Sequence, residues 1–104
     1  MASLEERGEG FERKFARDAE LKFKAEARRN KLLGLWAAQK MGREDGDAYA
    51  SEVVKSDFEE AGDEDVFRKV KADLDAAGAG VGDAELRTRM RELLAVAVDQ
   101  IQGE

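Results

Sequence analysis

Apolar residues recur along most of this chain at helical spacing rather than in alternation. Phe11, Phe15, Ala19, Phe23 and Ala27 stand four apart, and a second row runs through Leu21, Ala25, Arg28, Leu32, Leu35 and Trp36. Residues three and four apart share a helix face, so the rows predict a long first helix. It ends near Met41 and Gly42, where glycine can take the left-handed cap conformation. Tyr49, Val53, Val54, Phe58 and Ala61 mark a second helix, capped by Asp45 or Asp47 and stopped at Gly62. Asp63 caps a third, with Glu64 and Asp65 in its first turn and Val66, Phe67, Val70, Leu74 and Ala77 as its stripe. After a turn from Gly78 to Gly82, Asp83 caps a fourth, whose stripe is Leu86, Met90, Leu93, Leu94, Ala97, Val98 and Ile101. Amphipathic helices joined by short loops hide such stripes only against one another. The expected architecture is therefore all-α, a small four-helix bundle with a long first helix.

The start of the chain breaks the pattern. Between Ser3 and Gly10 the one apolar anchor is Leu4, and Gly8 and Gly10 each disfavour helix by about 1 kcal/mol relative to Ala. Ser3 to Gly10 is therefore expected to be disordered in isolation, and with the residues leading to the bundle it makes an N-terminal arm. Within the arm, Phe11 and Phe15 form an apolar ridge edged by Glu12, Arg13, Lys14, Arg17 and Asp18. Such a ridge suits a segment that orders as it enters a groove on a partner. Fraying, or folding back on the bundle, fits the pattern equally well.

Composition narrows the chemistry. The chain has 104 residues, enough for one core, and 40% of them are charged, against roughly 25% in an average globular chain. It contains no proline, and its β-branched residues are seven valines, one isoleucine and one threonine, which reinforces the helical reading. The absence of cysteine and histidine removes thiolate nucleophiles, disulfides, the usual zinc ligands and the commonest general base. No catalytic constellation, metal site or cofactor is expected, and the protein reads as a non-enzyme. The longest apolar run, Leu32 to Ala38, is far too short to span a membrane, and the first ten residues do not form a secretion signal. A cytoplasmic location without membrane insertion follows as the expectation.

The net charge of −6 conceals a division along the chain: Met1 to Gly10 carries −2, Phe11 to Arg43 +6, Glu44 to Asp65 −9, and the remainder −1. The simplest reading sets the basic first helix against the acidic second segment. The densest basic patch, Ala27 to Lys31, is chiefly a solvated helix face, with Arg28, Arg29 and Lys31 as candidate contacts for a nucleotide or other anion. Overall acidity opposes nucleic acid. Trp36, in the apolar row, reads as a core residue. The Gly78 to Gly82 run has no following lysine and no preceding strand, so it is a turn and not a phosphate loop. The acids from Asp57 to Asp65 lack calcium-loop spacing.

Three stretches carry a family resemblance. Residues Phe11 to Leu21 (FERKFARDAEL) and Phe23 to Ala38 (FKAEARRNKLLGLWAA), with Asp57 to Val70 (DFEEAGDEDVFRKV), resemble the zeta subunit of alphaproteobacterial F-type ATP synthases, and the similarity runs through essentially the whole chain. Gly8 and Gly10 depart from the better helix-forming arm usual in that family. The resemblance implies a four-helix bundle over residues 19–104 and a mobile N-terminal segment over residues 1–18 that inhibits ATP hydrolysis by the catalytic head. That segment would become helical between alpha and beta subunits, touch the gamma shaft and block rotation in the hydrolysis direction. The inhibitory contacts it implies are Leu4, Phe11, Glu12, Arg13, Lys14, Phe15, Arg17 and Asp18. The protein would then lie at the inner face of the cell membrane, peripheral to it through the synthase. A bundle that senses adenine nucleotide weakly, or a generic helical adaptor, is the alternative reading.

Overall fold

A computed structural model describes residues 19–57 and 63–103 of the chain. Its helices are α1 (Ala19–Met41), α2 (Gly46–Ser56), α3 (Glu64–Ala76) and α4 (Asp83–Gln102), and the described residues contain no strand. Helix α1 packs against α2, α3 and α4, and α3 closes the bundle against both α2 and α4. Helix α4 runs antiparallel to α1. Arg89, early in α4, lies over Trp36, late in α1, whereas Ile101 at the end of α4 shares a groove with Phe23 and Lys24 at the start of α1. The all-α four-helix bundle expected from periodicity is the fold. The expected arm, including the Phe11 and Phe15 ridge, lies outside the described residues.

The helix ends show which local signals the chain uses. At the end of α1, Gly42 takes φ 72°, its N–H reaches the Gln39 carbonyl at 3.1 Å, and the Arg43 N–H reaches that of Ala38 at 2.9 Å. Gly78 repeats this pair of bonds at the end of α3, to Asp75 at 3.0 Å and, through the Ala79 N–H, to Leu74 at 3.0 Å. Both glycines satisfy carbonyls that the helix leaves open, in a conformation that a Cβ would penalise. The acidic caps behave differently. Asp45 and Asp63 do occupy N-cap positions, but neither carboxylate bonds a helix donor. Asp45 accepts from Arg43 at 2.8 and 2.6 Å, and Asp63 accepts from Arg29 at 2.7 Å. A guanidinium that binds such a carboxylate competes directly with the helix amides, and here it wins. Helix α4 is capped by Gly82, with Asp83 as its first residue. Helix α2 ends at Ser56 with Asp57 as its C-cap, and Phe58 to Gly62 lie outside the described residues.

The core joins Leu33 and Ala37 of α1 to Tyr49 and Val53 of α2, Val66, Val70 and Leu74 of α3, and Leu86 and Met90 of α4. On α1 the buried line is one residue further along than the apolar row predicts. It runs Ala25, Arg29, Leu33 and Ala37, flanked by Asn30, Gly34 and Ala38, while Leu32, Leu35 and Trp36 are half-buried. The physical reason is that α1 touches three helices, and its small residues admit the closest neighbour. Phe23, expected in the apolar stripe, is 57% exposed. Trp36 packs at the margin of the core, its ring covered by Lys40 Nζ at 5.8 Å and the Arg89 guanidinium at 5.4 Å.

Candidate functional site

The basic stretch on α1 divides into two populations facing different ways. Arg29 is only 1% exposed, so the solvated-face reading fails there. Its Nε donates to Asn30 Oδ1 at 2.7 Å and its Nη2 to Asp63 Oδ1 at 2.7 Å. Asn30 is fully buried. Arg28 is half-buried and Lys31 exposed, and these two share a groove. The three cations nominated from sequence therefore do not converge. Arg29 is turned towards the joint between α2 and α3, where burial is tolerable because the charge is paired and hydrogen-bonded.

Around Arg29 the chain collects four carboxylates: Glu26 of α1, Asp57 at the end of α2, and Asp63 and Asp65 at the start of α3. Asp65 is buried, and its Oδ1 accepts from the Arg68 guanidinium, while Oδ2 has no partner. Asn30 lies near enough to the Asp57 carboxylate to lower its pKa, although Nδ2 falls outside hydrogen-bond geometry. Burial nevertheless pushes the Asp57 carboxyl above its ordinary range, with Asn30 and Arg29 opposing the rise and the charges of Asp63 and Asp65 adding to it. Burial also raises Glu26, opposed by Lys22 and Arg29 and reinforced by Asp63 and Asp57. The cluster clamps three helices at one end of the bundle. Sequence reasoning read Asp63 as a cap within an acidic stretch that lacks calcium-loop spacing, and did not join that stretch to Arg29. The available signal was Arg29 at the 25, 29, 33, 37 spacing.

A second polar network joins α2 to α3. Buried Tyr49 donates its hydroxyl to Asp73 Oδ2 at 2.8 Å, and Lys69 Nζ bridges Asp73 at 3.1 Å and Glu52 at 3.3 Å. Arg43 lies 4.6 Å and Lys69 5.4 Å from the Tyr49 ring centre. Burial, the bond to Asp73 and that residue's charge all raise the phenol pKa, so Tyr49 remains a neutral donor. Ion pairs Arg29–Asp63, Arg43–Asp45 and Arg43–Glu52 tie the basic first segment to the acidic second one.

A surface groove of about 530 Å³ lies between α1, α2 and α4. Phe23, Val54 and Ile101 supply its apolar wall, and Lys24, Arg28 and Lys31 its polar edge. The sequence analysis nominated Arg28 and Lys31 but not the other four. Leu4, Phe11, Glu12, Arg13, Lys14, Phe15, Arg17 and Asp18 lie outside the described residues.

Three comparisons bear on identity. A family model described as ATPase inhibitor subunit zeta matches residues 1–100. No curated protein matches. A structure solved in solution by NMR is 53% identical, with a TM-score of 0.71, and the alignment covers 80% of this chain and 96% of that one. The family match takes in both the bundle and the residues that precede it, and the solved relative has the same fold. The chain belongs to the ATPase inhibitor subunit zeta family.

Proposed function

We propose that this protein inhibits ATP hydrolysis by the catalytic head of an F-type ATP synthase. Residues 1–18 form the inhibitory arm and residues 19–104 the bundle that holds it at the head. The observation that carries this reading is the family match over residues 1–100, which includes nearly all of both parts. The arm orders as a helix at an interface of alpha and beta subunits beside the gamma shaft. Phe11 and Phe15 are its apolar anchors, and Arg13, Lys14 and Arg17 pair acidic groups on the rim. An interface that opens in one rotational state admits the arm in that state alone, which makes the block directional. Such a protein works at the cytoplasmic face of the membrane through the synthase. Among the described residues no helix is long and apolar enough to cross a membrane.

The test is ATP hydrolysis by the purified cognate head with three proteins: the full chain, Phe11→Ala with Phe15→Ala, and a chain starting at residue 20, each checked for helicity. Inhibition by the full chain alone supports the reading. Equal inhibition by the double variant removes the phenylalanines as anchors, and equal inhibition by the shortened chain removes the arm.

A second reading, weak contact with an adenine nucleotide, is favoured by Arg28 and Lys31 standing beside the exposed Phe23 ring in one groove. Arg29, committed to Asp63, is not part of it. Backbone amide shifts at the groove on adding ATP support this contact, and none at millimolar nucleotide dismisses it.

A further inference from the structure

Helix α1 begins clear of the rest of the bundle. Lys22, Phe23 and Lys24 are consecutive and all exposed. Successive helix residues point about 100° apart, so the three directions span about 200° of the circumference. Ala25, the next residue, is fully buried. At the centre of the exposed arc, Phe23 is the most exposed large apolar side chain among the described residues, at 57%. It lines the groove with Val54 and Ile101, and the rest of the side chain faces solvent.

Phe23 also continues a row that the core does not use. Phe11, Phe15, Ala19 and Phe23 stand four residues apart, and four residues carry a helix about 40° past one full turn. On a continuous helix Phe15 and Phe23 are therefore about 80° apart, within the width of one apolar face. The helical rise puts Phe23 about 12 Å along the axis from Phe15 and about 18 Å from Phe11. Val96, 42% exposed on α4, has no such row. Its neighbours a turn away include Glu92, Asp99 and Gln100, so it is an isolated surface residue of the ordinary kind.

We infer that the inhibitory contact runs on into the bundle's own first helix, with Phe23 as a third apolar anchor in the catalytic head. The inference rests on the reading that residues 1–18 enter the head as a helix. Arm and α1 then form one helix, and the cleft that takes Phe11 and Phe15 extends past Ala19 to an apolar pocket for Phe23. Ala25 sets the limit, because from there α1 is enclosed by its own bundle. The depth of insertion is thereby fixed: the bundle abuts the mouth of the cleft once Phe23 is seated. Phe23 stands on a helix that is already formed, so its burial costs less ordering entropy than that of an arm residue.

The test is ATP hydrolysis by the purified head with full-length variants, each measured for helicity and urea midpoint. Phe23→Ala is expected to raise the half-inhibitory concentration about tenfold. Phe23→Leu recovers most of that loss, and Val96→Ala inhibits like the parent. Parental inhibition by Phe23→Ala overturns the third anchor and leaves the arm reading standing, provided that the parent inhibits and Phe11→Ala with Phe15→Ala does not. A parent that does not inhibit removes both. A second measurement reads contact directly, with photoreactive p-benzoylphenylalanine in place of Phe23 or of Val96. Irradiation in the complex is expected to cross-link the chain to the head from position 23 and not from position 96. No cross-link from position 23, or equal cross-linking from both, overturns the proposal.

Discussion

Gly34 of α1 meets the backbone of α2 at Ala50 so closely that a Cβ on Gly34 would stand 2.5 Å from Ala50 Cα and 3.1 Å from its Cβ. The two helices cross where neither can retreat without opening the core behind them. Gly34→Ala improves helix propensity by about 1 kcal/mol, yet we expect a net loss of about 1–3 kcal/mol from overpacking. Ala50→Gly does not rescue it, because the nearest obstacle is the Cα. Urea unfolding followed through Trp36, the single tryptophan, measures both variants. A Gly34→Ala chain as stable as the parent would show that the crossing is looser than described.

Arg29 makes the second prediction, because its two bonds end in different environments. Its partner Asp63 has a side chain 48% exposed, whereas Asn30 is fully buried. Arg29→Ala leaves a cavity and an unpaired Asn30 Oδ1, and should lower stability by about 2–5 kcal/mol. Asp63→Ala leaves the guanidinium near Asp57 and Glu26, with water able to enter, and should cost about 1–3 kcal/mol. Arg29→Met, which keeps most of the packing, should fall closer to the parent than Arg29→Ala. The reverse order of the two alanine variants would mean that the buried guanidinium depends on its ion pair with Asp63 more than on its packing.

These residues also mark how far the sequence could be read. The helices, their loops and the glycine caps follow from spacing and from local geometry, because each signal acts within one turn of chain. The rotation of α1 does not follow. Its buried line contains Arg29, Asn30 and Gly34, which a hydrophobic pattern scores as surface or as breaks. An arginine can occupy a core line only if a carboxylate 34 residues away meets it, and single-chain periodicity carries no information about that meeting. The same limit explains Asp45 and Asp63. Both were legible as caps by position, but their carboxylates bond arginines outside their own helices. For the candidate site, Arg28 and Lys31 were legible as a basic patch. The groove they edge needs Val54 and Ile101 from two other helices.

The carboxylate cluster predicts an inverted pH response. Burial holds the Glu26 and Asp57 protons more tightly in the folded protein than in the unfolded chain, where their ordinary values are 4.5 and 3.8. Between those values and the raised folded ones, the native state binds more protons, so these two groups make stability fall as pH rises. Asp45, lowered by its hydrogen bond with Arg43, acts in the opposite sense: its contribution is lost as pH falls through its folded value. Glu26→Gln with Asp57→Asn should therefore be more stable than the parent at neutral pH, with the gap closing as pH enters the carboxylate range. Urea midpoints across that range test this. A variant less stable than the parent at neutral pH, with no pH dependence in the difference, would contradict it.

Tyr49 and Asp73 allow a sharper separation of effects. Tyr49→Phe removes the 2.8 Å hydrogen bond but leaves the ring beneath Arg43 and Lys69, and Asp73 keeps its contact with Lys69. The expected loss is about 0.5–1.5 kcal/mol. Tyr49→Leu should lose more, since the cation contacts with the ring go with the hydroxyl. Asp73→Asn retains an oxygen to accept from Tyr49 and so should be partly additive with Tyr49→Phe, whereas Asp73→Ala should show coupling to it of about 0.5 kcal/mol or more in a double-mutant cycle. If Asp73→Ala and Tyr49→Phe add without coupling, the hydroxyl does not stabilise the joint between α2 and α3, and the packing of the ring carries that contact alone.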